Sequence, residues 1–229
     1  MSLQRAVVAL LGMSVMAVAA ADGAAIARKG AAAAVACQGC HGVAGEGVAQ
    51  AGFPRLAGLG AVYLQRQLAA FADGSRVSPV MLPIAKALTK ADQAAVAAYY
   101  AAMPYPAAPS AAAPARPAPP GSGAARTAAA SDALPSNLGA TLATRGRWSD
   151  QLPACEQCHG PGGTGVGAEF PALVGQSSAY LAAQLAAFKS GARPAGPLSL
   201  MAVVAKKLSA AEVTAVAEYY ATLPARTNR

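Results

Sequence analysis

A five-residue pattern, Cys-x-x-Cys-His, occurs twice in this chain of 229 residues and constrains its fold more than any other feature. The two copies occupy residues 37–41 and 155–159. Two thiols spaced in this way lie on one helical turn, with the histidine directly after them. The pattern is typical of covalent attachment of c-type haem, in which the imidazole binds the iron. It predicts two c-type haems, with attachment and ligation by these residues: Cys37, Cys40, His41, Cys155, Cys158 and His159.

Three other roles for the cysteines stay open at this point. A thioredoxin-like dithiol needs neighbouring strands of a βαβ unit, and the sequence contains no convincing strand. A zinc ribbon brings its cysteine pairs within about 15–20 residues of each other, whereas 114 residues separate Cys40 from Cys155. A disulfide within each pair would leave the two histidines unexplained.

Both motifs belong to a longer internal duplication. Phe-Pro, a Tyr-Leu segment, an isolated methionine, a capping box and a Tyr-Tyr pair follow each motif in the same order, offset by 117–120 residues. Apolar periodicity and end signals predict an all-α chain with three helices per half. The predicted helices cover residues 24–36, 61–72 and 89–104 in the first half, and 139–146, 177–191 and 209–224 in the second. Residues 75–88, around Met81, and the stretch around Met201 are expected to be irregular.

Composition divides the chain into four parts. Residues 1–21 resemble a signal peptide, with Arg5, an apolar run over 6–20 and small residues at 19–21 for cleavage. An uncleaved anchor is the alternative, although the run is shorter than the roughly 20 residues that span a bilayer. Export to the periplasm is expected, because c-type haem is attached outside the bacterial cytoplasm. The first haem domain is then residues 22–106, the linker 107–136 and the second haem domain 137–229.

The linker is rich in proline and alanine. Extended polyproline spans about 3.1 Å per residue, so some 30 residues are long enough to hold the two domains far apart. A linker of this length makes independent or tethered movement of the domains possible, and the sequence leaves open whether the two haems are in close contact.

The sixth iron ligand follows from a count of side chains. The chain has two histidines, and both belong to attachment motifs, so bis-histidine ligation within one chain is impossible. A thioether suits an electron-transfer haem. Met201 has no competing methionine in its half, and the repeat selects Met81 over Met103. Three lysines remain alternative ligands: Lys86, Lys206 and Lys207.

Other residues beside the motifs are predicted with less specificity. A ligating histidine usually donates its second N–H to a carbonyl or carboxylate, and Pro54 and Pro171 could present such carbonyls. The alternative is that both prolines only shape a loop. Tyr63 and Tyr180 either line haem edges or fill the core, and Trp148, which has no counterpart in the first half, is expected to pack internally.

The formal net charge of +8 does not indicate nucleic-acid binding. No dense run of lysine and arginine is present to follow phosphates, and the four propionates of two haems would cancel part of the charge. A mildly basic rim could instead steer docking onto an acidic redox partner.

The chain resembles the dihaem class I cytochromes c of the cytochrome c4 type. The resemblance rests on the two Cys-x-x-Cys-His-Gly motifs, the two Phe-Pro-x-Leu-x-Gly segments, the Tyr-Leu helices that follow them, the single methionines and the closing Tyr-Tyr helices. The resemblance implies two tandem, all-α cytochrome c-like domains with His/Met irons, facing each other across a pseudo-two-fold axis. It also implies a periplasmic electron carrier without a small-molecule substrate. Its redox partners would be a membrane quinol-oxidising complex or a dehydrogenase as donor and an oxidase as acceptor.

Two alternative functions remain. The chain could be a cytochrome subunit bound to a dehydrogenase or oxidase complex, which would have the same chemistry. A dihaem peroxidase is less favoured, because acid–base catalysis at an open iron needs side chains beside it, and no spare histidine exists.

Overall fold

The computed structural model of the protein describes residues 21–105, 137–196 and 198–224. Within these ranges the chain is helical, and its only β pairing consists of four isolated bridges. Five α-helices lie in each half. In the first half they are α1 (Gly23–Lys29), α2 (Gln38–His41), α3 (Ala61–Ala72), α4 (Met81–Ala87) and α5 (Lys90–Ala102). In the second half they are α6 (Leu138–Thr144), α7 (Glu156–His159), α8 (Ser178–Ser190), α9 (Leu200–Lys206) and α10 (Ala210–Thr222).

Several helix boundaries agree with the sequence prediction. Helix α3 covers the predicted residues 61–72. Thr89 and Ser209 begin α5 and α10 with complete capping boxes, in which Asp92 and Glu212 bond back to the cap residue. Local sequence signals decide these ends, because a side chain within three residues satisfies the free N–H groups of the first turn.

The predicted helix over residues 24–36 is wrong beyond Lys29. Helix α1 ends there, and Gly30 takes a left-handed φ of 81° while its N–H bonds to the Ile26 carbonyl. The chain then folds back through a bridge between Ala31 and Ala34. A Cβ on Gly30 would lie 2.0 Å from the Ala34 oxygen, so this turn requires glycine even though its flanks are rich in helix-favouring alanine.

The stretches around the two methionines, expected to be irregular, form short helices instead. Met81 is the first residue of α4, and Met201 is the second residue of α9. Pro83 is the third residue of α4, where the missing N–H would have had no intrahelical partner. A proline near the start of a helix is therefore compatible with helix formation, which the sequence interpretation overlooked.

Each half is held by the crossing of its first helix over its last. Helix α1 packs on α5, and α6 packs on α10. Gly23 and Gly139 occupy the crossings: a Cβ on either would lie 2.1 Å from a carbonyl oxygen of the partner helix. The two glycines therefore allow the backbones to approach more closely than any other residue would permit.

The two domains are in direct contact, although the length of the linker would allow them to lie far apart. Val77 donates its N–H to the Ala192 carbonyl at 3.0 Å, and Ala172 of the second domain packs in the core of the first. Residues 1–20 of the expected signal peptide and the whole of the expected linker lie outside the described residues. Among the helices that the structure describes, none is long and apolar enough to cross a membrane.

Candidate haem sites

One large cavity, shared by the two domains, collects every residue that the sequence analysis assigned to a haem site. Its volume is about 1200 Å³, more than the roughly 300–1,000 Å³ of an ordinary small-molecule pocket. Its lining combines the two attachment motifs, the two methionines predicted as axial ligands and both Phe-Pro turns. The predicted members of the lining are Cys37, Cys40, His41, Pro54, Met81, Cys155, Cys158, His159, Pro171 and Met201.

The attachment cysteines lie on short helical turns at the cavity wall. Cys37 precedes α2 and Cys155 precedes α7, both with helical backbone angles. The structure forms no disulfide within either pair. Burial raises the pKa of the Cys37 thiol and raises the pKa of Cys155 to about 11. Both thiols are therefore protonated at neutral pH. Each would supply the S–H bond that adds across a vinyl group of the haem.

Each histidine is oriented by a backbone carbonyl. His41 Nδ1 lies 2.8 Å from the Pro54 oxygen, and His159 Nδ1 lies 2.7 Å from the Pro171 oxygen. Because a carbonyl only accepts hydrogen bonds, Nδ1 carries the proton, and Nε2 keeps its lone pair. Burial lowers the pKa of both imidazoles, while the carbonyl contacts oppose that shift. The arrangement fixes two neutral imidazoles in the tautomer that binds iron through Nε2.

Met81 and Met201 lie at the start of short helices on the cavity wall. Lys86, Lys206 and Lys207, the alternative ligands, are not part of this lining. Lys207 instead donates to the carbonyls of Asp150 and Gln151. Imidazole and thioether, with two thiols, form the donor set of a covalently attached haem, so the residues present fit one such group in each domain.

The zinc alternative finds no support in the geometry. Among residues 21–105, 137–196 and 198–224, no group of three or more histidine, cysteine or acidic side chains is placed to hold a metal ion.

A buried network between the domains was missed by the sequence analysis. Arg76 donates to Gln67 of its own domain and, across the interface, to Tyr180 (2.9 Å) and Gln184 (2.7 Å). Arg193 repeats this pattern, with donation to Gln184 and, across the interface, to Tyr63 (2.8 Å) and Gln67 (3.2 Å). The two arginines are 6% and 7% exposed. Their common offset of 117 residues, shared by the two glutamines and the two tyrosines, was the signal that could have revealed them.

The network has approximate two-fold symmetry. Each guanidinium also stacks on a phenylalanine of its own domain, Arg76 on Phe71 at 4.4 Å and Arg193 on Phe188 at 4.5 Å. Tyr63 and Tyr180, for which core filling and haem contact were both open, line the cavity and accept hydrogen bonds from the opposite domain. The interface therefore joins the two haem sites by equivalent contacts.

Two tandem helical domains, each with a haem-attachment motif on a shared cavity, define a dihaem class I cytochrome c. The family model for cytochrome c matches residues 20–103 and 136–224, and the chain belongs to this family, within the cytochrome c4 type. With one motif in each matched region, the protein carries two c-type haems.

The relatives agree on this class and differ in their names. A "thiosulfate dehydrogenase electron acceptor" of Stutzerimonas stutzeri (strain A1501) is 46% identical over 204 residues, which cover 88% of this chain and 86% of that protein. The crystal structure of reduced cytochrome c4 from Pseudomonas stutzeri superimposes with a TM-score of 0.67 at 32% identity, covering 82% of this chain and 93% of that one. A thiosulfate dehydrogenase (TsdBA) from Marichromatium purpuratum gives a TM-score of 0.71 at 43% identity, covering 87% of this chain and 39% of that longer chain.

Proposed function

We propose that this protein is a periplasmic electron carrier that accepts electrons from a thiosulfate dehydrogenase and passes them to an oxidase or another respiratory acceptor. Electron transfer through two haems follows from the family. The donor is inferred from the relatives that are named as electron acceptors of thiosulfate dehydrogenase. Residues 1–21 would act as the signal peptide that directs export.

One observation supports the carrier chemistry above all others. In each domain, the attachment thiols, an oriented neutral imidazole and a thioether lie on the wall of the same cavity. We assign His41 and Met81 as the ligands of the first iron, and His159 and Met201 as those of the second. A bound c-type haem supplies one-electron redox chemistry, and a thioether ligand raises its potential.

The protein itself contributes three things to that chemistry. The Pro54 and Pro171 carbonyls hold the imidazoles in one tautomer and one orientation. Helices α4 and α9 carry Met81 and Met201 on the cavity wall, where their thioethers would serve as the sixth ligands of the two irons. The interface network of Arg76 and Arg193 keeps the two sites on one cavity, which favours electron exchange between them.

A physically bound subunit is the second candidate. The thiosulfate dehydrogenase chain of Marichromatium purpuratum contains a part that resembles this whole chain, so a stable complex with the dehydrogenase is consistent with that likeness. Co-purification with a thiosulfate dehydrogenase from the native periplasm would favour this candidate over a diffusing carrier.

The proposal is tested with the exported holoprotein and a purified thiosulfate dehydrogenase. Thiosulfate with the dehydrogenase should reduce both haems, whereas thiosulfate alone should not. Replacement of Met201 with Ala should abolish the sulfur-to-iron charge-transfer band of one haem and leave that of the other. Intact mass should show two haems and the loss of residues near 1–21. A protein that the dehydrogenase does not reduce, or an unchanged spectrum in Met201→Ala, would contradict the corresponding part of the proposal.

A further inference from the structure

Trp148 is the single tryptophan of the chain, and it lies at the surface rather than in the core. Its exposed fraction is 64%, contrary to the expectation of internal packing. It begins a short 3₁₀ turn, Trp148–Asp150, just before the second attachment motif. A large aromatic side chain left in water costs free energy that a protein recovers when a partner covers it.

The turn that carries Trp148 is held rigidly. Arg147 donates through Nε to Asp150 at 2.6 Å, through Nη2 to the Lys207 carbonyl at 2.9 Å, and through Nη1 to the Glu212 carboxylate. Lys207 in turn donates to the carbonyls of Asp150 and Gln151. Binding at this turn would therefore require little ordering, and preorganised aromatic side chains contribute most at interfaces.

The first domain has no equivalent of this turn. The bridge between Arg147 and Leu152 corresponds to the tighter bridge between Ala31 and Ala34, and alanines replace the large side chains there. The asymmetry is notable because the haem sites and the domain interface are otherwise duplicated. A feature present in one domain alone is suited to a role that only one domain performs, such as contact with a partner.

The turn also lies close to the second haem site. Leu152 closes the bridge, and the next residues, Pro153, Ala154 and Cys155, line the cavity. Arg147, next to Trp148, is bonded to Leu152, and the three residues from Leu152 to Cys155 span at most about 11 Å, so the backbone of the turn lies beside the second attachment motif.

Charge around the turn selects the kind of partner. The charge of Arg147 is compensated within the turn by Asp150 and Glu212. Two lysines, Lys206 and Lys207, lie in the segment whose carbonyl accepts from Arg147, and Lys206 is exposed. An apolar centre with a basic surround complements an acidic protein surface, and such rims increase association rates.

We propose that Trp148, with Lys206 and Lys207 beside it, forms a docking surface for an acidic face of the redox partner. We call it the Trp148 face. Electrons are exchanged with the partner through the second haem site, and the first site communicates with the partner through the second. The choice of a dehydrogenase as partner rests on the proposed function.

The test is steady-state reduction of the holoprotein by a purified thiosulfate dehydrogenase with thiosulfate, at varied concentrations of the holoprotein. Trp148→Ala should raise KM at least about tenfold with kcat unchanged, as expected for loss of a central aromatic contact. Val43→Ala is the matched control, because Val43 is 75% exposed beside the first motif; its KM should stay within about twofold of wild type. Lys206→Gln should lower kcat/KM at low salt and have no effect at high salt.

Each other outcome overturns the inference. Equal KM values for Trp148→Ala and wild type would show that the partner docks elsewhere, with the proposed function intact. A wild-type protein that the dehydrogenase does not reduce would overturn both the docking and the donor assignment. A dimer in light scattering that Trp148→Ala dissociates would show that a second copy of this chain, rather than a redox partner, covers the tryptophan.

Discussion

The buried arginine pair at the domain interface allows a quantitative prediction. Arg193→Ala removes the donor to Tyr63, which is left without the hydrogen bond that the structure shows, and removes the stacking on Phe188. Gln67 and Gln184 retain Arg76 as a donor. Loss of the partner of the half-buried Tyr63 hydroxyl costs about 1–2 kcal/mol, in the lower part of the range for a buried polar group, and loss of a desolvated cation–π contact costs about 1–2 kcal/mol. We therefore expect a loss of about 2–4 kcal/mol of unfolding free energy, and a similar loss for Arg76→Ala.

The double variant Arg76→Ala/Arg193→Ala should lose more than the sum of the two single losses. With one arginine present, both glutamine oxygens still accept a hydrogen bond, and both lose it only in the double variant. Repulsion between the two like charges acts in the same direction, because either single substitution already relieves it. The coupling should lie at about 1–3 kcal/mol, as for other contacting pairs.

Urea unfolding of the holoprotein, followed by far-UV circular dichroism, measures these free energies at constant ionic strength. Arg66→Ala is the control, because the ion pair of Arg66 with Glu169 also crosses the interface, but its side chains are 54% and 55% exposed. Exposed pairs contribute about 0–1 kcal/mol. Additive single losses, or an Arg66→Ala loss equal to that of Arg193→Ala, would refute the reasoning from burial and shared acceptors.

Two further predictions concern positions within one domain. Gly139→Ala should destabilise the protein by about 2–3 kcal/mol in the same assay, since the new Cβ would lie 2.1 Å from the Ala215 oxygen. Gly39→Ala is the control: its new Cβ would have no atom within 4 Å, so the change should be neutral or slightly stabilising. Arg55→Met should lower the potential of the first haem by roughly 40 mV, which is about 1 kcal/mol of charge interaction, in a spectrally resolved redox titration. Arg55 is a 2% exposed cation on the cavity wall; an unchanged potential would contradict this electrostatic role.

Local signals in the sequence predicted much of the fold. The capping boxes at Thr89 and Ser209 predicted where two helices begin, and the apolar periodicity of residues 61–72 predicted α3. Each of these signals acts within a few residues, so it can be interpreted without knowing the partner elements. The errors arose where a distant or neighbouring backbone decided the outcome, as at Gly30, where Ala34 returns toward the turn.

The candidate sites were predicted almost entirely from residue chemistry and repetition. One histidine and two cysteines in each repeat, with Met81 and Met103 in the first and Met201 in the second, leave few ways to ligate two irons. The duplication removed the remaining ambiguity between Met81 and Met103. That argument assigns residues to sites without locating them. The structure supplied the cavity on which they meet, because packing of α4 and α9 against the neighbouring helices α3 and α8 depends on contacts between separate segments.

Motif spacing and helix periodicity are local properties, so the sequence was enough to predict an all-α, duplicated chain with two attachment sites. The three-dimensional arrangement was needed to show that the domains share one cavity and that Arg76 and Arg193 donate hydrogen bonds across the interface. It also decided that Trp148 lies at the surface. The hydrogen bonds across the interface depend on the relative placement of residues more than 100 positions apart. The composition of the linker indicates only how far the chain can reach. It does not specify whether two surfaces complement each other.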